Sequence, residues 1–121
     1  MRNLGPLESA VMSLLWDADG PLTARQVLDN LRDRGLAYTT VATVLEKLHR
    51  KQWLDREQLG RVWFYRPRVQ SSEHAASLMR EALATSNSPR TTFLKFVDEI
   101  SDEEAALLRE LLDDATPPEE R

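Results

Sequence analysis

Apolar residues recur at every third or fourth position in the first part of the chain, which is the spacing of one face of an α-helix. The positions with this spacing are Leu4, Leu7, Val11, Leu14 and Leu15. They predict a first helix over about 5–18. Gly20 and Pro21 end this helix, because glycine breaks the pattern and proline cannot continue it.

Two more helices are predicted before the pattern changes. Thr23 and Gln26 have the spacing of a capping box, so the second helix opens at Thr23 and stops at Gly35. The third helix runs to about Gln52. The apolar faces are Ala24, Val27, Leu28 and Leu31 in the second helix, and Val41, Val44, Leu45 and Leu48 in the third.

The segment from Leu54 to Tyr65 alternates loosely and has Gly60 in its middle, which predicts a β-hairpin with Gly60 near the turn. Pro67 cannot donate to a strand ladder, so the second strand ends about there. We interpret Trp63, Phe64 and Tyr65 as residues that pack onto the helices, in preference to stacking on single-stranded bases. Three helices followed by a hairpin predict a winged helix-turn-helix.

The last part of the chain predicts three further helices. The fourth is capped within Ser71–His74 and reaches about Ala84. The fifth follows the polar segment 85–89, and the sixth opens with the capping-box pair Ser101 and Glu104. Residues 116–121 are predicted to be a disordered tail.

The predicted fold is mostly α with a small β-hairpin: a winged helix-turn-helix DNA-binding domain over residues 1–70, then a helical dimerisation segment over residues 71–115. A segment this short cannot easily form a hydrophobic core of its own. Its apolar faces therefore pack either on the first domain or on a second chain, and we favour the second chain. The residues predicted to dimerise are Leu78, Met79, Phe93, Phe96, Val97, Ile100, Leu108, Leu111 and Leu112.

The net charge of −4 over 121 residues hides a division of charge along the chain. Residues 1–70 carry a net charge of +3 and residues 71–121 a net charge of −7. This asymmetry suggests a basic functional surface joined to an acidic segment with another role. The chain has no cysteine and no apolar run that predicts membrane insertion or a signal peptide, so we expect a cytoplasmic protein.

Residue patterns typical of catalysis are absent from the sequence. His49 and His74 stand alone, without the spacing of a zinc site, and are interpreted as surface or rim residues. The four glycines are isolated, so no phosphate-binding loop is present, and no serine lies in a nucleophile elbow. We therefore predict that the protein is not an enzyme and that it uses no metal or cofactor.

The third helix and the hairpin carry the candidate DNA-binding residues. In a helix-turn-helix, the second helix of the motif enters the major groove, and basic residues nearby contact phosphates. The candidates are Tyr38, Thr39, Thr40, Ala42, Thr43, Lys47, Arg50, Lys51 and Arg61. Glu46 on the same face either accepts from a cytosine amino group or pairs with Arg50. Its carboxylate and the acidic total also allow an alternative function, a winged-helix module that binds proteins and not DNA.

Three segments resemble the penicillinase-repressor family of winged-helix transcription factors, the BlaI/MecI/CopY type. They are Leu7–Trp16, Ala37–Leu45 with Leu48 and Lys51, and Gly60–Tyr65. The most specific of them is the run Tyr-Thr-Thr-Val-x-Thr-Val-Leu that begins at Tyr38. The resemblance spans nearly the whole chain and is strongest over residues 5–68.

The resemblance implies a homodimeric repressor that binds an inverted-repeat operator, usually with a TACA/TGTA-like core, and dimerises through its C-terminal helices. Thr40, Thr43 and Lys47 match the recognition-helix region of the family, and Arg61 matches its wing. In antibiotic-responsive members a membrane sensor protease triggers cleavage in the dimerisation segment. The corresponding place here is Lys95-Phe96, where those members carry Asn before the Phe. The copper-responsive members end in a cysteine cluster, which this chain lacks.

Overall fold

The computed structural model describes residues 4–115. The prediction of a disordered tail at residues 116–121 lies outside the described residues. The chain divides into two compact units, Met1–Leu78 and Met79–Arg121. The first unit extends past the predicted boundary at residue 70 by about two turns of helix.

The first unit begins with three helices, α1 (Pro6–Asp17), α2 (Ala24–Asp29) and α3 (Tyr38–Arg50). The predicted capping box at α2 is confirmed, since Thr23 Oγ1 accepts from the Gln26 amide at 3.1 Å and Gln26 Oε1 accepts from the Thr23 amide at 2.9 Å. The predicted length of the second helix is wrong. It ends at Asp29, and a 3₁₀ turn over Arg32–Arg34 leads to Gly35, whose φ of 62° provides the left-handed C-cap.

The third helix also ends earlier than predicted, at Arg50. Gln52 adopts a φ of 68°, its amide bonds to the His49 carbonyl, and the Trp53 amide donates to the Leu48 carbonyl at 2.9 Å. These two bonds form a Schellman motif, which normally has glycine at the position of Gln52. The motif turns the chain sharply and places Trp53 in the core.

The hairpin is confirmed and belongs to a three-stranded sheet. Strands β2 (Leu54–Leu59) and β3 (Val62–Pro67) pair antiparallel. A third strand that the sequence pattern did not predict, β1 (Leu22–Thr23), pairs with the other edge of β3, so the strand order is β1-β3-β2. The three helices and this sheet form a winged helix-turn-helix, in which the β2–β3 hairpin is the wing.

The core lies between the three helices and the base of the wing. Its buried residues are Val11, Met12, Leu15, Ala24, Val27, Leu31, Val41, Leu45, Leu48, Trp53, Leu54 and Tyr65. The apolar periodicity of the three helices therefore predicted most of the core, but it missed Met12, which is completely buried. The aromatic prediction is only partly correct, because Tyr65 is buried whereas Trp63 remains 38% exposed on the wing.

A second packing layer closes the first unit around Trp16 and Trp53. The Trp16 indole N–H donates to the Val69 carbonyl at 2.8 Å. His74, half-buried as predicted for a rim residue, stacks on Trp16 and meets Trp53 edge-on, with ring centroids 5.8 and 5.1 Å away. These contacts fasten the first turn of the fourth helix to the winged helix.

Three more helices complete the described chain: α4 (Ser71–Ala84), α5 (Pro89–Glu99) and α6 (Asp102–Ala115). The predicted capping box at α6 is confirmed, with the Glu104 amide 3.0 Å from Ser101 Oγ. The cap predicted for α4 is shifted, because Ser71 is already helical and the Glu73 carboxylate accepts from the Gln70 amide instead. No helix between residues 4 and 115 is long and apolar enough to cross a bilayer.

Candidate nucleic-acid interface

Exposed polar residues follow one stripe of α3 on the side away from the core. Thr39, Thr43, Lys47 and Arg50 are spaced at three or four residues and are all exposed, while Val41, Leu45 and Leu48 of the opposite side are buried. Short hydroxyls near the beginning of such a helix can reach base edges and thymine methyl groups. The stripe thus combines groups that distinguish bases with cations that contact phosphates.

The neighbouring stripe of α3 faces the wing across an open cleft of about 430 Å³. Tyr38, Ala42 and Glu46 line the helix side of this cleft, and Arg56, Arg61, Val62 and Trp63 line the wing side. The side chains of Tyr38 and Ala42, two of the predicted DNA-binding residues, therefore face the cleft between α3 and the wing. The structure brings Tyr38 and Ala42 of the helix and Arg61 of the wing together in one cleft of the first unit.

Arg61 lies at the tip of the wing and is exposed. Leu59 and Val62 are partners across the hairpin, which leaves a two-residue turn of Gly60 and Arg61. Gly60 has a φ of 65°, and glycine at the first position of such a turn is typical of type II′. The turn directs the chain so that Arg61 projects at the end of the ribbon, where it can enter a minor groove or contact a phosphate.

Glu46 does not form the predicted pair with Arg50. Its Oε2 instead accepts from Arg56 Nη1 of β2 at 2.6 Å, and the Arg56 guanidinium lies 4.3 Å from the centre of the Trp63 ring. The pKa of Arg56 is raised above its ordinary value, first by the side-chain oxygen of Tyr65 and then by Glu46. The carboxylate on the groove side of α3 is therefore neutralised from within the protein.

Arg25 is a candidate that the sequence analysis missed. It is exposed near the beginning of α2, and its guanidinium lies 5.2 Å from the centre of the Tyr38 ring. The two residues are 13 positions apart and lie on different helices, so no local pattern joins them. A cation held over an aromatic ring at the entrance of α3 can contact a phosphate that flanks the groove.

Lys51 stands apart from the other predicted cations. Its Nζ lies 3.2 Å from Glu8 Oε2 of α1. The same Glu8 carboxylate accepts from the Gly5 amide at 3.0 Å, and this bond, followed by Lys51, lowers the pKa of Glu8. Lys51 thus joins α1 to the end of α3. Thr40, another predicted DNA-binding residue, is exposed in the first turn of α3, next to Thr39 of the polar stripe.

The second unit displays large apolar side chains at its surface. Across α4, α5 and α6, all of which the structure describes, no side chain is buried. Of the residues predicted to dimerise, only Ile100 is half-buried. Those exposed in the second unit are Met79, Phe93, Phe96, Val97, Leu108, Leu111 and Leu112, and Leu78 is exposed at the end of the first unit. Leu94 and Leu107, which are not among the residues predicted to dimerise, are exposed as well. A surface cleft of about 440 Å³ on α5 is lined by Arg90, Phe93, Leu94 and Val97.

Within residues 4–115 no group of three or more histidine and acidic side chains is placed to hold a metal ion. His49 is half-buried near the end of α3, and His74 belongs to the tryptophan cluster of the first unit. Both positions are those of rim residues.

Comparison of the sequence with known proteins identifies the protein family of this chain. The model of the penicillinase repressor family matches residues 4–114. The transcriptional regulator BlaI of Mycobacterium tuberculosis is 40% identical over 116 residues, which cover 93% of this chain and 84% of the relative. The match and the geometry define the class, a winged-helix transcriptional regulator. The chain belongs to the penicillinase-repressor family, as the segment from Tyr38 to Leu45 predicted.

Two solved structures are similar over most of the chain. One is Streptococcus pneumoniae FabT in complex with DNA, with a TM-score of 0.49 and 20% identity over 93% of this chain and 73% of that chain. The other is a MarR family protein from Bacillus stearothermophilus, with a TM-score of 0.48 and 16% identity over the same shares of the two chains.

Proposed function

We propose that the protein is a homodimeric repressor that binds an inverted-repeat operator through α3 and the wing. The observation that carries this proposal is the exposed stripe of Thr39, Thr43, Lys47 and Arg50 beside the wing-tip Arg61 in a chain of this family. The relative that it matches is a transcriptional regulator, which supports a binding role and not an enzymatic one. The neutralised Glu46 removes one argument for the alternative, a module that binds only proteins.

The exposed apolar surface of the second unit supports dimerisation. Phe93 is 54% exposed, Val97 50% and Leu111 56%, so each forgoes about half of the roughly 1.5–3 kcal/mol that full burial of such a side chain gives. A contiguous apolar surface of this kind usually marks an interface. A second copy of the segment covers it with matching apolar side chains, and the resulting two-fold symmetry suits two operator half-sites.

Substitution on α5 tests the dimer. Phe96→Asp places a carboxylate among the apolar residues, so we expect monomers at micromolar concentration in sedimentation velocity runs. Thr91→Asp is the matched control, because it introduces the same charge at an exposed position of α5 that helical geometry places on the side away from Phe93 and Phe96. A Phe96→Asp protein that sediments as an unchanged dimer contradicts the assignment, as does an equal loss in the control.

A gel-shift titration with duplexes from upstream of the protein's own gene and of neighbouring genes tests the repressor function. We expect saturable binding that survives competitor DNA, and its loss in Thr43→Asp, since the new carboxylate would face the groove. Ser13→Asp is the control, because Ser13 is exposed on α1 and the substitution changes the charge equally. Wild-type protein that binds no duplex at low salt instead favours the protein-interaction module.

We propose further that cleavage at Lys95-Phe96, triggered by a membrane sensor protease, releases the operator. Both residues are exposed near the middle of α5, so a cut there divides the segment that joins the two chains. Each DNA-binding domain would then bind alone, without the effective concentration that the linked partner supplies. Mass spectrometry of the protein from induced cells checks this, and an intact chain on relieved operators contradicts it.

A further inference from the structure

The contact between Glu46, Arg56 and Trp63 is the one strong polar link between α3 and the distal part of the wing that the structure shows. Arg56 and Trp63 are diagonal neighbours on the sheet face that is turned toward α3, because Arg56 pairs directly with Tyr65. Beyond Arg56 the hairpin continues past Gln58 to the tip, and residues 57–63 are all exposed. The contact thus lies where the buried base of the wing becomes its exposed end.

The geometry makes Arg56 a structural residue and not a phosphate ligand. Its side chain is only 22% exposed, and its guanidinium is held by the Glu46 carboxylate at 2.6 Å while its face covers the Trp63 ring. A hydrogen bond between two ionised groups is about twice as strong as a neutral one, and the cation–π contact adds to it. Releasing Arg56 to a phosphate would leave the Glu46 carboxylate uncompensated on the groove side.

We propose that Glu46, Arg56 and Trp63 form a clamp that fixes the wing relative to α3 and so positions Arg61 for the groove next to the one that the threonines enter. The proposal rests on the DNA-binding function proposed above. Glu46 acts through Arg56, so it is a positioning residue whose charge never meets a base. A carboxylate on the groove side would ordinarily be expected to repel the DNA, so that its removal strengthens binding. The clamp predicts the opposite, because removing the Glu46 carboxylate releases Arg56 and weakens operator binding.

The first test needs no DNA and follows amide hydrogen exchange by NMR in the full-length protein. In Glu46→Gln we expect the amides of residues 57–63 to exchange about tenfold faster relative to core amides such as that of Leu45. Glu57→Gln is the matched control, because Glu57 lies on the opposite face of the same strand and pairs with Arg66 at 3.7 Å. Unchanged exchange in Glu46→Gln, or equal acceleration in Glu57→Gln, overturns the clamp.

The second test is a double-mutant cycle on operator affinity with Glu46→Gln, Arg56→Gln and both together. We expect each single substitution to weaken binding about tenfold, the pair to weaken it no more than either alone, and the salt dependence to stay that of wild type. Tighter binding by Glu46→Gln, or additive effects with a shallower salt dependence for Arg56→Gln, overturns the positioning role.

The Trp63 ring provides a third arm. Trp63→Tyr keeps an aromatic face for the guanidinium and should stay within about threefold of wild-type affinity, whereas Trp63→Leu should match Arg56→Gln. Equal losses in both Trp63 variants contradict a role for the ring. If the wild-type protein binds no duplex at all, the repressor function and the positioning role fail together, while the exchange data separately decide whether the contact holds the wing.

Discussion

The salt dependence of operator binding provides a quantitative test of the interface. Arg61→Ala removes one exposed cation from each wing tip of the proposed dimer. On the groove side of the first unit, Arg25, Lys47, Arg50 and Arg61 are exposed, whereas Lys51 and Arg56 are engaged by Glu8 and Glu46. Four such cations in each protomer correspond to about eight phosphate contacts in the dimer.

Eight contacts predict a slope of about −7 for the logarithm of the association constant against the logarithm of salt concentration. Wild-type affinity should therefore fall about 10⁴-fold between about 50 and about 200 mM salt. Arg61→Ala removes two contacts, so its slope should be about −5.4 and its loss over the same range about 10³-fold.

Fluorescence anisotropy of a labelled operator duplex at several salt concentrations measures these slopes. Arg66→Ala is the control, because Arg66 lies on the sheet face turned away from α3, where it pairs with Glu57. We expect its slope to equal that of wild type. An unchanged slope in Arg61→Ala refutes the placement of the wing, and an equal change in Arg66→Ala shows that the effect is not specific to the tip.

Two further predictions concern stability. Gln52→Gly removes the strain of a left-handed non-glycine residue and should raise stability by about 0.5–1 kcal/mol in thermal unfolding, whereas Gln58→Gly, in the extended strand β2, should lower it. Glu8→Gln weakens both the Gly5 cap and the Lys51 pair and should cost about 1 kcal/mol at pH 7. Because the pKa of Glu8 is lowered by folding, this stabilisation is complete above pH 4.5 and is lost as the pH falls further. The free energies of unfolding of wild type and Glu8→Gln, measured with denaturant, should therefore converge in acid. A difference between them that stays constant with pH would contradict the assignment.

The features that the sequence predicted are those set by neighbouring residues. Both capping boxes, at Thr23 and Ser101, follow from a spacing of three residues, and the buried faces of α1 and α3 follow from helical periodicity. The hairpin follows from Gly60, whose positive φ allows the tight turn. Local chemistry fixes these elements, so a single sequence is enough to predict them.

The features that were missed depend on contacts between distant segments. Strand β1 has only two residues, too few for any periodicity, and exists because β3 offers a free edge. One of the two interpretations of Glu46 paired it with Arg50 because both lie on one helix, but the wing brings Arg56 to the Glu46 carboxylate instead. Trp63 was expected in the core, yet its side of the ribbon extends beyond the helices and is covered in part by Arg56. Only the folded chain shows which of two plausible partners is nearer.

Selection of bound duplexes from a random-sequence library by the wild-type protein tests the central claim most directly. If two copies present α3 and the wing with two-fold symmetry, the enriched duplexes will contain an inverted repeat whose half-sites lie about one turn of DNA or a multiple of it apart. Enrichment of a single half-site without symmetry, or no enrichment at low salt, would contradict a dimeric operator-binding repressor.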